Sequence, residues 1–260
     1  MEEFAVCQNW ESSDFLTLDM VQPQNFMDDH VRLAREGEII DDDMIRGACP
    51  TQVAVPFLPA MLGNPLRILP QNILGDDRKL SWDEAFEVGL DAEHPWYRKY
   101  MRFIDALVER AAGRFPVSHG PEIGPADLHA ILRGHNESIK DLMDEPEKSA
   151  KLLWHLGEIV RDMFEGIWQR IPLFQNGYFD AQYCLWSPGP IIRIKRTPRP
   201  SIHPICTAGW SSLSTACWTT LSAAASCTDT RSLCFCWMRF WKSKRFPAFK
   251  STMMPSACPS

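Results

Sequence analysis

The last 66 residues of this 260-residue chain contain almost no acidic residues and almost no glycine. Asp229 is the only acid and Gly209 the only glycine there, whereas 32 of the 33 acids precede Lys195. The apolar residues of this stretch follow neither the period of a helix nor that of a strand. These absences exclude an ordinary continuation of the preceding domain, and we place a boundary between residues 194 and 195.

Three interpretations of residues 195–260 follow from what the stretch does contain. Its many Trp and Phe residues argue against a solvated basic tail. Six of the nine cysteines lie here, but only Cys234 and Cys236 are close, so a zinc module lacks its second ligand pair. The third interpretation is a wrong reading frame, because codon-compatible DNA read one frame over gives acidic, amphipathic sequence. We therefore predict a domain at 1–194 and a frameshifted, non-native or disordered tail at 195–260.

The first 194 residues lack a long apolar run and a basic leader. The first absence argues against a membrane partner and the second against secretion, so a cytoplasmic protein is predicted. These residues hold 18 basic side chains against 32 acidic ones, and this balance argues against nucleic acid as a partner. Cys7, Cys49 and Cys184 are widely spaced, which is typical of reduced, buried thiols.

Short apolar runs alternate with amphipathic helical patterns in this part of the chain. Strands are predicted at residues 4–7, 53–58, 115–118 and 182–186. Helices are predicted at residues 96–111, 126–132 and 152–167, the last opening near Asp144 and closed by Pro172. Strand and helix alternating at this spacing predict an α/β fold with a parallel sheet or barrel.

Two segments carry a resemblance to a known family. Residues 120–153 read GPEIGPADLHAILRGHNESIKDLMDEPEKSAKLL, and residues 177–193 read GYFDAQYCLWSPGPIIR. Both are similar to the uroporphyrinogen decarboxylase superfamily, which also contains corrinoid-linked methyltransferases. The resemblance implies a (β/α)8 TIM-type barrel with its chemistry at the C-terminal ends of the strands. The body would supply about the N-terminal half of that barrel, so the predicted fold is an incomplete barrel.

Three functions remain open on this basis. The resemblance implies cofactor-free decarboxylation of a tetrapyrrole-type carboxylate, a small-molecule substrate held by Arg or backbone N–H groups. The methyltransferase branch implies a thiol-activating zinc, whose ligands are not present in this chain. The third alternative is a non-enzymatic or non-functional fragment, truncated and inactive. A homodimer is expected if the chain folds.

Candidate site residues are few. His119 follows a predicted strand and Asp127 opens a predicted helix; both are candidate catalytic groups, although Asp127 also suits a first-turn helix charge. Trp10 and Glu11 follow the first predicted strand and are candidate substrate contacts. Trp186 on the last predicted strand is a further candidate contact, or else a core aromatic. No metal site is predicted.

Overall fold

The computed structural model describes residue 10 and residues 15–40, 44–50, 55–69, 72–120 and 122–190, with the backbone alone of 192–194 and 225–227. Within these residues the chain is a mixed α/β fold dominated by helices. The helices are α1 Met27–Ile39, α2 Phe57–Met61, α3 Trp82–Glu87, α4 Pro95–Ala111, α5 Pro125–Arg133, α6 His135–Asp144 and α7 Pro146–Trp168. None of them is long and apolar enough to cross a membrane.

The named strands form three separate pairs. They are β1 Leu66–Leu69 with β2 Asn72–Gly75, β3 Tyr178–Asp180 with β4 Leu185–Ser187, and β5 Ile192–Ile194 with β6 Ala225–Cys227. The first two pairs are antiparallel and the third is parallel. The described strand pairings thus do not form the continuous parallel sheet that the strand and helix alternation predicts. An incomplete barrel is not shown by them.

Helix α4 confirms the predicted helix at 96–111. His94 caps its start, since the ring Nδ1 accepts the N–H of Trp96 at 3.3 Å, and Pro95 occupies the first helical position. The helix ends where Ala112 takes φ 47° and Gly113 takes φ 74°, a left-handed exit that glycine favours. Its apolar stripe lies in the core, with the buried residues Tyr100, Met101, Phe103, Ile104, Leu107 and Ala111.

Helices α5, α6 and α7 follow one another with very short connections. Gly134 separates the first two with φ 97°, a conformation that side chains rarely adopt, and Pro146 lies at the start of the third. The predicted helices at 126–132 and 152–167 are confirmed, and α7 extends back to Pro146. Helix α7 buries one face along its length, with Leu152, Leu156, Ile159, Val160, Met163, Phe164 and Ile167.

One predicted strand is wrong in its described part, and another is only partly confirmed. At 53–58 the described part enters helix α2 at Phe57, because Pro56 precedes the first turn and the following residues are all buried on a helical path. At 182–186 the chain first makes a turn, in which the Asp180 carboxylate accepts the N–H groups of Gln182 and Tyr183. Strand β4 therefore begins only at Leu185. The predicted strand at 4–7 lies outside the described residues.

One long-range parallel contact joins two loop-like segments. The N–H of Ala48 donates to the Pro116 carbonyl at 2.9 Å, and the N–H of Ser118 donates to the Ala48 carbonyl at 2.8 Å. These bonds form an isolated parallel bridge between Ala48 and Val117. The strand predicted at 115–118 is present only as this bridge. Helix α2, the β1–β2 hairpin, α3 and α4 all lie between the two segments in sequence.

The third neighbour of these segments is the hairpin of β3 and β4. The N–H of Ala181 donates to the Ser118 Oγ at 2.9 Å, and the Phe179 ring contacts Gly47. Gly47 therefore has no room for a side chain, since a Cβ there would also meet the Pro116 carbonyl at 2.8 Å. The segment around Gly47, the segment that ends at Ser118 and the β3–β4 hairpin therefore meet at this point.

A buried polar network ties α5 to α6. Arg133 donates to Asp141 through Nε and Nη2 at 2.8 and 2.9 Å, and its Nη1 donates to the Leu80 carbonyl. The guanidinium carbon lies 4.4 Å from the centre of the Trp82 ring. His129, fully buried, places Nε2 3.4 Å from the same Asp141 carboxylate. Asp141 of α6 thus holds Arg133 and His129 of α5, and Arg133 in turn contacts Trp82 of α3.

Candidate functional site

His119 lies where the Ala48–Val117 bridge ends. Its ring is buried, and Nδ1 lies 2.7 Å from the Gly120 carbonyl. A carbonyl only accepts, so Nδ1 carries the hydrogen and Nε2 is the basic nitrogen of the neutral ring. The Phe164 ring of α7 meets the imidazole edge to face at 4.7 Å and fixes its plane. His119 is therefore held in one orientation and one tautomer.

A small cavity lies beside His119. It has a volume of about 10 Å³, close to the minimum that holds one water molecule. Its walls come from the bridge segment, the end of α7 and the start of the hairpin. The residues that line it are Val117, Ser118, His119, Trp168, Ile171, Pro172, Leu173, Phe174, Gly177, Tyr178 and Phe179.

Glu122 is the most unusual group near this end of the bridge. Only 6% of the residue is exposed, and neither carboxyl oxygen makes a hydrogen bond of ordinary geometry to the described residues. Burial raises the pKa of the Glu122 carboxyl well above its usual range, while the approaching Tyr100 hydroxyl and Leu58 backbone oppose that rise. The carboxyl is therefore kept as an uncharged acid, which donates as well as accepts.

Tyr100 connects Glu122 to the His119 segment. Its hydroxyl, fully buried on α4, accepts the N–H of Gly120 at 2.9 Å. Burial, and then the nearby Glu122, raise the pKa of Tyr100 well above its usual value. Because the oxygen accepts from Gly120, the phenolic hydrogen remains for Glu122. Gly120 thus contacts Tyr100 through its N–H and His119 through its carbonyl.

His30 and Cys49 approach the same region from the other side. His30 lies on α1, is buried, and makes no hydrogen bond of ordinary geometry through either ring nitrogen within the described residues. Burial lowers the pKa of His30 to about 4, against the opposing charge of Asp29 and the nearby Cys49 backbone. Cys49 is a buried thiol near the Tyr100 hydroxyl. His30 therefore stays uncharged at neutral pH.

The other sequence-predicted site residues do not join His119. Asp127 lies in the first turn of α5, half-buried, where a carboxylate favours the positive end of a helix. Trp10 is a core residue that packs against Phe26 at 6.4 Å between ring centres. Glu11 lies outside the described residues.

Trp186 lies on the outer strand of the hairpin. The residue is 42% exposed, so the alternative prediction of a core aromatic is wrong. The indole N–H of Trp186 donates to the Phe174 carbonyl at 3.0 Å, and Gly177 lies against its ring. Trp186 therefore supports the outer wall of the His119 cavity without lining it.

Two site residues, Glu122 and Tyr100, were missed from the sequence. Tyr100 was assigned to the apolar stripe of a helix. A buried tyrosine hydroxyl usually needs a hydrogen-bond partner, so its presence in that stripe could have indicated a buried polar contact. Glu122 lies between two Gly–Pro dipeptides beside Ile123, an apolar context for a carboxylate. Only the fold brings them together, because 22 residues of chain separate them.

A second, larger depression does not have the character of a site. It is an open groove of about 380 Å³ beside α2 and α3, with Glu84, Glu87, Asp91 and His94 among its walls. Its polar side chains already serve the backbone: Glu84 completes a capping box with Ser81, and His94 caps α4. No group of three or more metal-binding side chains occurs in the described part of the chain.

No protein-family model matches the chain, and neither a curated protein nor a solved structure matches it. These comparisons therefore assign no function to the residues around His119.

Proposed function

We propose that this chain is the N-terminal part of a (β/α)8 barrel of the uroporphyrinogen decarboxylase type, and that its site acts on a small carboxylate substrate. The proposal rests on the resemblance of residues 120–153 and 177–193 and on one observation in the fold. That observation is the parallel bridge of Ala48 and Val117, because His119 follows its C-terminal end. Catalytic residues of such barrels come from the C-terminal ends of parallel strands.

The proposed reaction is a decarboxylation without a cofactor. The pyrrole ring first takes up a proton; the bond between the carboxylate and its methylene carbon then breaks, carbon dioxide leaves, and the electron pair passes into the protonated ring. A proton must then reach the methylene carbon: the basic Nε2 of His119 takes up a proton from water and passes it on while Nδ1 stays bonded to Gly120, and the ring afterwards gives up its extra proton. An oriented imidazole beside a cavity with room for about one water molecule suits that role, because bulk water is kept away from it.

Two alternatives stay open beside this proposal. Methyl transfer, the chemistry of the other branch of the superfamily, would need a thiol-activating zinc. An inactive fragment remains the other alternative, and the cytoplasmic location and the homodimer likewise stay predictions. No described side chain favours zinc at this site over the lyase chemistry.

The test is turnover by the full chain. The purified protein is incubated with a reduced tetrapyrrole that bears acetate side chains, and the loss of carboxyl groups is followed by mass spectrometry. We expect His119→Gln to reduce kcat by roughly 10²–10⁴-fold, the usual contribution of a proton-transfer group. His135→Gln is the matched control. His135 is exposed and pairs with Asp77, and neither residue lines the cavity beside His119.

Three outcomes decide the question. Turnover that depends on His119 and not on His135 supports the lyase. Turnover that is equal in both variants removes His119 from the chemistry. A folded chain that neither binds nor converts the tetrapyrrole contradicts the lyase proposal and favours the inactive fragment.

A further inference from the structure

The Gly120 N–H bonds to a side chain at the point where the parallel bridge stops. In a parallel pair, the rung that follows the Ala48–Val117 bridge needs an N–H at Pro50 and would bring the Gly120 N–H to the Pro50 carbonyl. Proline has no N–H to donate, so that rung cannot form in full. The Gly120 N–H donates instead to the Tyr100 hydroxyl at 2.9 Å. A hydroxyl of α4 thus takes the place of the next backbone acceptor.

The Tyr100 hydroxyl is held rigidly where Gly120 meets it. Tyr100 is fully buried on the apolar stripe of α4, and its ring meets the Phe57 ring of α2 edge to face at 4.8 Å between centres. Gly120 fits closely between two oxygens, because a Cβ there would lie 3.5 Å from the Tyr100 hydroxyl and 2.9 Å from the Pro50 carbonyl. Two helices therefore fix the oxygen that accepts the Gly120 N–H.

The peptide unit between His119 and Gly120 is held at both of its polar groups. Its N–H is that of Gly120, which donates to Tyr100, and its C=O is that of His119, which accepts the Ser118 hydroxyl at 2.9 Å. The Ser118 oxygen in turn accepts the N–H of Ala181 from the hairpin at 2.9 Å. Because a peptide unit is planar, bonds at both groups fix its orientation. Helix α4 and the hairpin therefore hold this unit from two sides.

The same peptide unit limits where the Gly120 carbonyl can lie. Glycine has the freest backbone of any residue, so without these bonds its carbonyl would be free to turn away from the His119 ring. With the N–H side fixed, the carbonyl accepts from Nδ1 of His119 at 2.7 Å, and Nε2 is the basic nitrogen of the ring. The Tyr100 hydroxyl therefore acts on the imidazole through two consecutive hydrogen bonds.

We propose that Tyr100 is the positioning residue of His119: its hydroxyl fixes the Gly120 backbone, whose carbonyl selects the tautomer with hydrogen on Nδ1. That tautomer keeps Nε2 as the nitrogen that takes up a proton and passes it on. The chemical use of the tautomer rests on the proposed function, whereas the tautomer itself is measured without substrate.

The first measurement is the tautomer of His119 in the full chain. The histidines are labelled with nitrogen-15, and long-range proton–nitrogen NMR spectra at pH 8 distinguish a protonated ring nitrogen from an unprotonated one. His119→Gln identifies the signals of this ring. We expect hydrogen on Nδ1 and none on Nε2, together with slow exchange of the Gly120 amide. Hydrogen on Nε2, or a Gly120 amide that exchanges as fast as in an unfolded chain, overturns the proposal.

Tyr100→Phe keeps the ring in the core and removes only the hydroxyl. We expect both tautomers of His119 to appear, so the shifts of its two ring nitrogens should approach each other, and the Gly120 amide should exchange about tenfold faster. Tyr97→Phe is the matched control, because this tyrosine is on the same helix but places its hydroxyl against Gly166 of α7. Unchanged nitrogen shifts in Tyr100→Phe that is folded by circular dichroism refute the positioning role. If this variant does not fold, the result on the unaltered protein still decides.

Turnover separates this proposal from the proposed function. A chain that does not convert the reduced tetrapyrrole removes the proposed function, and the tautomer in Tyr100→Phe then decides whether Tyr100 positions the ring. A chain that does convert it should lose roughly 10- to 100-fold in kcat with Tyr100→Phe, at unchanged KM. Equal kcat in Tyr100→Phe and the unaltered protein would overturn the positioning role and leave the lyase intact.

Discussion

The Arg133–Asp141 pair offers the sharpest test of what holds the helices together. Asp141 has 8% of its side chain exposed and Arg133 has 13%, so water screens the pair little. The carboxylate accepts two bonds from Arg133 and lies beside His129, while the guanidinium also contacts Leu80 and Trp82. Asp141→Asn keeps the shape but removes the negative charge on which these contacts depend.

We expect Asp141→Asn to lower the free energy of unfolding by about 3 kcal/mol, because removal of one partner leaves a largely buried cation uncompensated. Urea denaturation at pH 7, followed by circular dichroism, measures this change. Asp162→Asn is the control: Asp162 pairs with Arg161 at the surface, and its loss should cost less than about 0.5 kcal/mol.

A double variant tests the reasoning further. Arg133→Met together with Asp141→Leu replaces the pair by apolar side chains and should recover most of the stability that Asp141→Asn loses. A result within about 0.5 kcal/mol of the unaltered protein for Asp141→Asn itself would refute the argument that the pair acts as a buried one. It would mean that water reaches the guanidinium in solution.

Three further predictions concern the segments around His119. Glu122→Gln should remove the pH dependence of stability that this carboxyl causes. Above the ordinary glutamate pKa, and until the raised pKa of Glu122 is passed, the unaltered protein should lose about 1.4 kcal/mol of its free energy of unfolding per pH unit. The urea midpoint of the variant at pH 8 should therefore exceed that of the unaltered protein. Lowering the pH should destabilise the fold through His30, since its pKa of about 4 lies below the ordinary 6.5; about 3 kcal/mol should be lost between these values, and His30→Leu should flatten the urea-measured profile there. Gly47→Ala should cost about 1–3 kcal/mol because its Cβ meets the Phe179 ring, whereas Gly89→Ala, with open space around it, should be tolerated; equal thermal midpoints for the two would contradict this packing.

The helices were predictable where one apolar stripe decides the structure. In α4 and α7 the apolar residues recur at helical spacing, and both helices form as predicted. Helices α1 and α6 were missed because few of their residues are apolar, and they depend on contacts with α4 and α7 that the sequence does not reveal. Residues 53–58 and 182–186 were misassigned because short apolar runs do not distinguish a strand from a helical turn.

The candidate site was predictable only in part. His119 was identified because a histidine after an apolar run suits a strand end, and the bridge of Ala48 and Val117 places it at such an end. Asp127 suited a helix start equally well, and that is where it lies. Glu122 and Tyr100 depend on each other across 22 residues, and only packing shows that one is buried against the other.

The run of helices α5, α6 and α7 bears on the order in which this chain folds. Their mutual contacts join residues close in sequence, and such local contacts form quickly because little chain entropy is lost in closing them. The bridge of Ala48 and Val117 joins residues 69 positions apart and forms more slowly. We expect pulse-labelled amides of 125–168 to gain protection before those of Ala48 and Ser118. A refolding chain would then complete helices α5, α6 and α7 before the site around His119 exists.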